Sequence, residues 1–321
     1  MLKYFLRRLL EMIPKLIVLS VIIFILLQFV PGDPISYQIS PDQLMKMSPE
    51  AIERMRDALG LNDPAPVRYL KWAKGILTGN FGYSLVSGTA ITALIAQRLP
   101  ATVELLIFAF IIATTLGIVF GYISAVKRNT PIDYTLTTLG MVGVSVPEFF
   151  FGLCAIVIFC FKLKLLPSGG RSPVGDTSFK ARIPYMVMPV IILGLSYIAV
   201  LMRYCRSSML DVMNKEYIKA SKAKGLTDTQ VNVLHVFRNA LIPVMIIIVN
   251  RIPILISGAV VIESVFNYPG MGSLIIESIQ SSDMPVVMIC TLLIAAMVML
   301  ASFLVDIFSA MLDPRIRFGE N

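Results

Sequence analysis

Two charged residues lie where an apolar sequence offers them little shelter. Glu148 falls about halfway along the apolar run 132–161, and Arg251 about ten residues into the run 241–262. An unpaired charge near the middle of a bilayer costs at least about 3 kcal/mol, so such groups must be paired or wet. Two intruders of opposite sign predict an Arg251–Glu148 ion pair beside a polar cavity, where Arg251 could also draw in a carboxylate. Both are candidate cavity residues.

The remaining reactive side chains exclude more chemistry than they offer. His235 is the single histidine, which rules out a His-based catalytic constellation or a multi-histidine metal site. Cys154, Cys160, Cys205 and Cys290 sit in or beside apolar runs without metal-ligand spacing and read as small core residues. No G-x-x-x-x-G-K-[ST] loop occurs that could cradle ATP phosphates. No cluster of acids, histidines and nucleophiles recurs at helix ends, so no catalytic residue, metal or cofactor is expected in this chain.

The elements that must position these groups are membrane spans. Of 321 residues, 56% are hydrophobic and 15% charged, with a mean hydropathy of +0.79, far from a soluble domain. The net charge of +8 is better explained by Lys and Arg holding loops at an anionic cytoplasmic face than by nucleic-acid binding. A span needs roughly 20 apolar residues, and six runs qualify: 9–30, 101–126, 132–161, 185–202, 241–262 and 285–311. The first is too long for a signal-peptide core and is followed by PGDP, so it should stay as an anchor. The expected fold is all-α and polytopic, with six transmembrane helices.

Basic residues near span ends set the orientation. Lys3, Arg7 and Arg8 precede the first run and Lys127 and Arg128 follow the second, which predicts both termini in the cytoplasm. Arg203, Arg206, Lys215, Lys219, Lys222, Lys224, Arg238, Arg315 and Arg317 then also face the cytoplasm. The 162–184 loop fits poorly, because it would be external yet carries Lys162, Lys164, Arg171, Lys180 and Arg182. Three regions follow: 1–30, an extracytoplasmic insertion over 31–100, and a five-helix core over 101–321 with a cytoplasmic loop at 203–240. In the insertion, Ser48-Pro49 reads as an N-cap and first helical residue, with Ile52, Met55 and Leu59 on one face before Gly60.

Between the fourth and fifth runs stands EYIKASKAKGLTDTQVNVLHVFRNALIP. Glu216, Ala220 and Ala223 share a helical face with Lys219 and Lys222 turned away, and Gly225 reads as the C-cap. Thr227 and Gln230 have capping-box spacing, and Leu226 with Val231 could staple a second helix. The result is a short cytoplasmic helix and a rigid elbow with a small-residue face that another surface could approach closely. Between the fifth and sixth runs, Asn267, Pro269, Gly270 and Gly272 in FNYPGMG predict an external turn near a substrate entrance, with Asn267 and Met271 open to reagents.

Glu216-Tyr217 and Ala223-Lys224-Gly225 resemble the coupling loop of binding-protein-dependent ABC importer permeases, in the dipeptide/oligopeptide/nickel branch. FLRRLL near the start, PGDP at 31–34, FGYSLVSG at 81–88, RLPAT at 98–102, LISGAVVIESVFNYPGMG at 255–272 and LDPRIR at 312–317 extend the resemblance over almost the whole chain. It implies that Glu216, Tyr217, Ala220, Ala223, Lys224 and Gly225 couple to an ATPase. It also implies a heteromeric importer in a prokaryotic inner membrane: this subunit, a homologous second permease, two ATPase subunits that bind ATP and Mg, and an extracytoplasmic binding protein, with no nucleic acid. Short peptides are the expected substrate, with nickel complexes, glutathione or oligosaccharides as alternatives within the family. The family pattern holds uncharged residues at 148 and 251, and this chain departs from it at both. An ion-coupled secondary transporter is the competing class, although no internal repeat supports it.

Overall fold

The computed structural model describes residues 2–29, 47–58 and 60–312, and among them the regular secondary structure is helical apart from one isolated bridge between Tyr83 and Ala90. α1 (Leu2–Gln28) carries its basic residues inside the helix, where Arg7 pairs with Glu11 at 3.1 Å and Arg8 with Asp306 at 3.6 Å. α2 (Pro49–Ala58) begins as expected, with the Ala51 N–H donating to Ser48 Oγ at 3.3 Å. α3 (Ala65–Leu77) lies on α1, joined by a Ser20–Tyr69 hydrogen bond of 2.9 Å and by Phe24 against Tyr69 and Trp72.

Two long helices form the centre. α4 (Ile91–Val126) begins ten residues before the expected run, so the RLPAT residues are helix interior rather than a lead-in. α7 (Phe179–Met213) packs along it. The buried residues Ala101, Leu105, Ala109, Ala113, Gly117, Gly121 and Ala125 recur every fourth position of α4, a narrow stripe that brings backbones close where lipid gives no hydrophobic drive for association. A β-carbon at Gly121 would stand 2.6 Å from that of Cys205, and one at Gly117 2.9 Å from that of Leu201.

Two of the expected spans are broken. The run 132–161 forms α5 (Pro131–Ser145) and α6 (Glu148–Ala155), the latter continuing as a π-helical stretch Ile156–Lys162, with a 104° bend between the halves. Pro147 is the cause: it forces Val146 into extended backbone (φ −98, ψ 132) and has no N–H to continue the ladder. The run 241–262 is divided between α9 (Asp228–Asn250), which contains a π-helical stretch Val231–Phe237, and α10 (Ile252–Val265). Arg251 stands at that junction, two residues before Pro253, which cannot donate to the carbonyl four residues earlier.

α8 (Glu216–Ala223) precedes α9, and α11 (Met271–Gln280) and α12 (Met284–Leu312) complete the chain. Among the described residues α1, α4, α7, α9 and α12 are long and apolar enough to cross a membrane, with a sixth span if the bent α5–α6 pair counts as one. The protein is therefore all-α and polytopic. PGDP at 31–34, Leu59, and the basic residues Arg315 and Arg317 of LDPRIR lie outside the described residues.

The start of α11 is satisfied by distant side chains, because its N-cap, Gly270, has none. Thr102 Oγ1 accepts the Met271 N–H at 2.8 Å, and Glu263 Oε2 accepts those of Gly272 at 2.7 Å and Ser273 at 3.4 Å. Thr102 donates in turn to Glu263 Oε1 at 2.5 Å, so α4, α10 and α11 share one buried network. A β-carbon at Gly270 would strike the Glu263 carboxyl, and one at Gly272 the backbone of Val260. Glu263→Ala should leave Thr102 and two buried N–H groups unsatisfied, at a cost of about 3 kcal/mol or more. The purified complex in detergent should therefore melt several degrees lower. Gly272→Ala should lower it as well, whereas Gly175→Ala, with open space around it and φ +87, should cost only about 1–2 kcal/mol of backbone strain.

Candidate functional site

The two helix breaks meet at one cavity. Glu148, Leu193, Ser196, Tyr197, Arg251, Ile254 and Leu255 line a space of about 10 Å³, room for roughly one water. Glu148 is the first residue of α6, the helix end whose partial charge favours an anion, whereas Arg251 is at once the C-cap of α9 and the N-cap of α10, so the two helix-end dipoles there oppose each other. The expected direct ion pair does not form. Glu148 accepts a short hydrogen bond from Ser196 Oγ instead, and no carboxylate oxygen lies within 4.0 Å of Arg251 among the described residues. Broken helices carry the two residues to one cavity, where they line its wall without pairing. Tyr197 closes the wall, its hydroxyl bonded to Thr114 at 3.0 Å and to the Ile248 carbonyl at 3.3 Å.

A second cavity, of about 150 Å³, lies along the same side of α7 and is lined by Thr137, Gly140, Met141, Val144, Ala199, Met202, Arg203 and Arg206. Ser196, Ala199 and Arg203 are at helical spacing i, i+3 and i+7, so one face of α7 serves both cavities. Arg206 is engaged by Asp133 through two contacts of 2.8 Å, whereas Arg203 is exposed and makes no ion pair among the described residues.

The 216–225 segment has the local structure read from the sequence. α8 spans Glu216–Ala223, Gly225 takes φ +85, and the Thr227–Gln230 capping box is complete in both directions. Ile218 is buried at 2% and anchors α8, while Tyr217 is 48% exposed and Glu216, Ala220, Ala223 and Lys224 face outward. Lys219 is not turned away from Glu216. It pairs with it at 2.8 Å, as Lys222 does with Asp228 at 2.7 Å. Leu226 and Val231 both join the main core cluster.

The turn at 266–272 differs from expectation. Phe266, Tyr268 and Met271 are at most 1% exposed and Gly270 and Gly272 are buried, while Pro269 is half-buried and Asn267 is exposed, in left-handed backbone at φ 45. The small residues admit the Glu263 carboxyl and the Val260 backbone, so the turn is a packed joint and not an open surface. Burial, with the Glu104 carboxylate adding to it, pushes the Tyr268 phenol up to about 12, which keeps it neutral at physiological pH.

The arginines that fit the orientation rule poorly have local partners. Arg171 and Arg182 both bind Glu104, at 2.5 and 3.1 Å, and the Gly170 N–H donates to the Phe266 carbonyl at 3.1 Å, so the 163–178 loop is fastened to α4 and to the turn. Arg98 spans α4 and α11 by pairing with Glu277 at 2.8 Å. Sequence reasoning passed over Glu263, Thr102, Arg98 and Glu104. The available signal was an acid or hydroxyl at the rim of an apolar run, the type of residue that Glu148 drew attention to deeper inside one.

An all-α bundle whose apolar helices break around a charged cavity has the architecture of a membrane transport subunit. The chain belongs to the family described as binding-protein-dependent transport system inner membrane component, the permeases of ABC importers: that family's model matches residues 117–318, and the N-terminal model of the same type of component matches residues 1–106. It is 38% identical over 318 residues to the oligopeptide transport system permease protein AppB of Bacillus subtilis, covering 98% of this chain and 99% of that one. It is 34% identical over 339 aligned positions to the dipeptide transport system permease protein DppB of Escherichia coli, covering 99% of both. Among solved structures, the MetNI methionine ABC transporter in inward-facing conformations matches with a TM-score of 0.53 at 18% identity, over 69% of this chain and 97% of that one, a likeness of fold. The protein is thus an inner-membrane transport subunit and not an enzyme, and membership implies that ATP and Mg are bound by a separate ATPase subunit.

The burial pattern of the turn gives a direct test. With the native cysteines replaced, a cysteine at Asn267 should react readily with a water-soluble maleimide in the detergent-solubilised complex, whereas one at Met271 should stay unlabelled until the protein is denatured. Equal labelling at the two positions would mean that the turn is open.

Proposed function

We propose that this chain is one of two permease subunits of an ATP-driven importer and that it carries short peptides. The observation that carries the reading is the elbow: an exposed small-residue helix, anchored by Ile218 and followed by a glycine turn and a capped second helix that runs unbroken into a span. Such a unit transmits displacement, because neither the turn nor the cap can absorb it without breaking hydrogen bonds. In this reading both termini and α8 are cytoplasmic, α8 docks on an ATPase subunit that binds ATP and Mg, and the 49–90 region and the 266–270 turn face the binding protein outside. A homologous second permease completes the pathway, which on this side follows the face of α7 shared by the two cavities. The peptide substrate is supported by full-length similarity to permeases named for oligopeptide and dipeptide transport.

Replacing Gly225 by Val is expected to leave insertion intact, since a β-carbon there meets nothing, but left-handed backbone costs a β-branched residue about 1–3 kcal/mol. Peptide-stimulated ATP hydrolysis and uptake into proteoliposomes should fall at least about tenfold, and Glu216→Lys should do the same by removing the Lys219 pair and reversing the outer charge. Wild-type uptake in both variants would show that the elbow does not couple.

A further inference from the structure

We infer that Glu148 and Arg251 form a site for the charged ends of a peptide, with Arg251 receiving the terminal carboxylate and Glu148 the terminal ammonium. The inference rests on the peptide reading above and deepens it. A cation and an anion line one cavity without touching each other, which is the charge pattern complementary to a zwitterion. Neither is saturated. A carboxylate can accept about four hydrogen bonds, and Glu148 accepts one, from Ser196, while the Arg251 guanidinium, with its fork of donors suited to bidentate carboxylate binding, has no carboxylate partner among the described residues.

The surroundings keep the two groups apart and available. Leu193, Ile254 and Leu255 supply apolar walls and Tyr197 a hydroxyl already engaged elsewhere. Gly258 packs against the same wall: a β-carbon there would be 3.2 Å from Leu193 Cδ1 and 3.4 Å from Glu148 Oε2. Each charge is held at a helix end created by a proline, so the site belongs to the discontinuities and not to a continuous helix. The cavity holds about one water in this conformation, so a peptide end enters only when the segments joined at these breaks separate. That separation exposes both charges together, and the apolar walls make their attraction for a zwitterion stronger than it would be in bulk water.

The test uses the assembled complex without its binding protein, so that no other protein selects the ligand. Calorimetric titration compares tri-alanine, its C-terminal amide and its N-acetyl form against wild type, Arg251→Gln and Glu148→Gln. Wild type should favour free tri-alanine over either blocked form. Arg251→Gln should weaken free tri-alanine about tenfold, the loss of roughly one charge-assisted hydrogen-bonded contact, and erase the preference over the amide while keeping that over the N-acetyl form. Glu148→Gln should do the reverse, and this crossed pattern is one that general misfolding cannot produce. Undetectable binding of tri-alanine to wild type, unchanged preferences, or equal losses for all three ligands would overturn the site. ATP-driven uptake of tri-alanine by the full system with its binding protein tests the peptide reading separately. If uptake occurs while the preferences do not move, the site fails and the reading stands; if no peptide is taken up, the reading itself fails.

Discussion

The first turn of α11 begins inside the protein, where its backbone N–H groups cannot turn to water. A helix start leaves such donors without intrahelical partners, and here three of them are taken by Thr102 and Glu263 before Leu274 donates to the Gly270 carbonyl at 3.1 Å. Much else follows from this one requirement. The acid must be at the end of α10, the hydroxyl on α4, and positions 270 and 272 must lack side chains so that the three helices close on each other. Arg98 then adds a second bridge from α4 to α11, and the loop after α6 fastens to the same turn through the Phe266 carbonyl. The loop that precedes α4 is tied in parallel, with Ser84 and the Leu85 N–H both bound to Asp283 between α11 and α12. One end of the bundle is therefore a joint of polar contacts, and its middle is a close contact of small residues between α4 and α7.

That division of labour bears on how the molecule can move. The α4–α7 contact is continuous and tight, so these helices act as one body. The breaks at Pro147 and at Arg251 lie on the helices around them, and interrupted backbone at such depth is tolerated only where it is buried in protein or lines a polar space. The cavity between Glu148 and Arg251 meets that condition. The N-terminal dipole of α6 lowers the cost of the Glu148 charge, and Ser196 and Tyr197, on successive positions of α7, supply the polar wall. The elbow at α8 joins the other end of α7 to α9, so a single helix connects it to the Arg251 junction.

What could be read from the chain in advance differs from place to place. The elbow was legible almost residue by residue, because Gly225, Thr227 and Gln230 act on their own neighbours through a left-handed backbone and a capping box. Even there the pairing of Lys219 with Glu216 was missed, since two long side chains on an exposed helix choose among rotamers that sequence does not rank. The spans were legible as apolar runs and not in continuity. Pro147 and Pro253 are visible in the sequence, but prolines at 100, 184, 189 and 243 stand inside helices without breaking them at all. The glycines at 270 and 272 were recognised as helix breakers in an exposed turn, whereas they are spaces kept clear for a distant carboxylate and a distant backbone.

Sequence alone determined the class of the protein, since apolar runs of spanning length have no other stable environment than a bilayer, and it determined the local chemistry of the elbow, whose hydrogen bonds close within a few residues. It also identified Glu148 and Arg251, because a charge in an apolar run stands out without any structure. Only the tertiary structure decided what those charges meet, that Ser196 and not Arg251 bonds Glu148, and that Glu263, Thr102 and Glu104 are structural centres. The physical reason is range. Caps, turns and hydropathy are fixed by neighbours along the chain, while a buried polar group is satisfied by whichever donor or acceptor the packing brings to it, here over separations of 161 residues from Thr102 to Glu263 and 48 from Glu148 to Ser196.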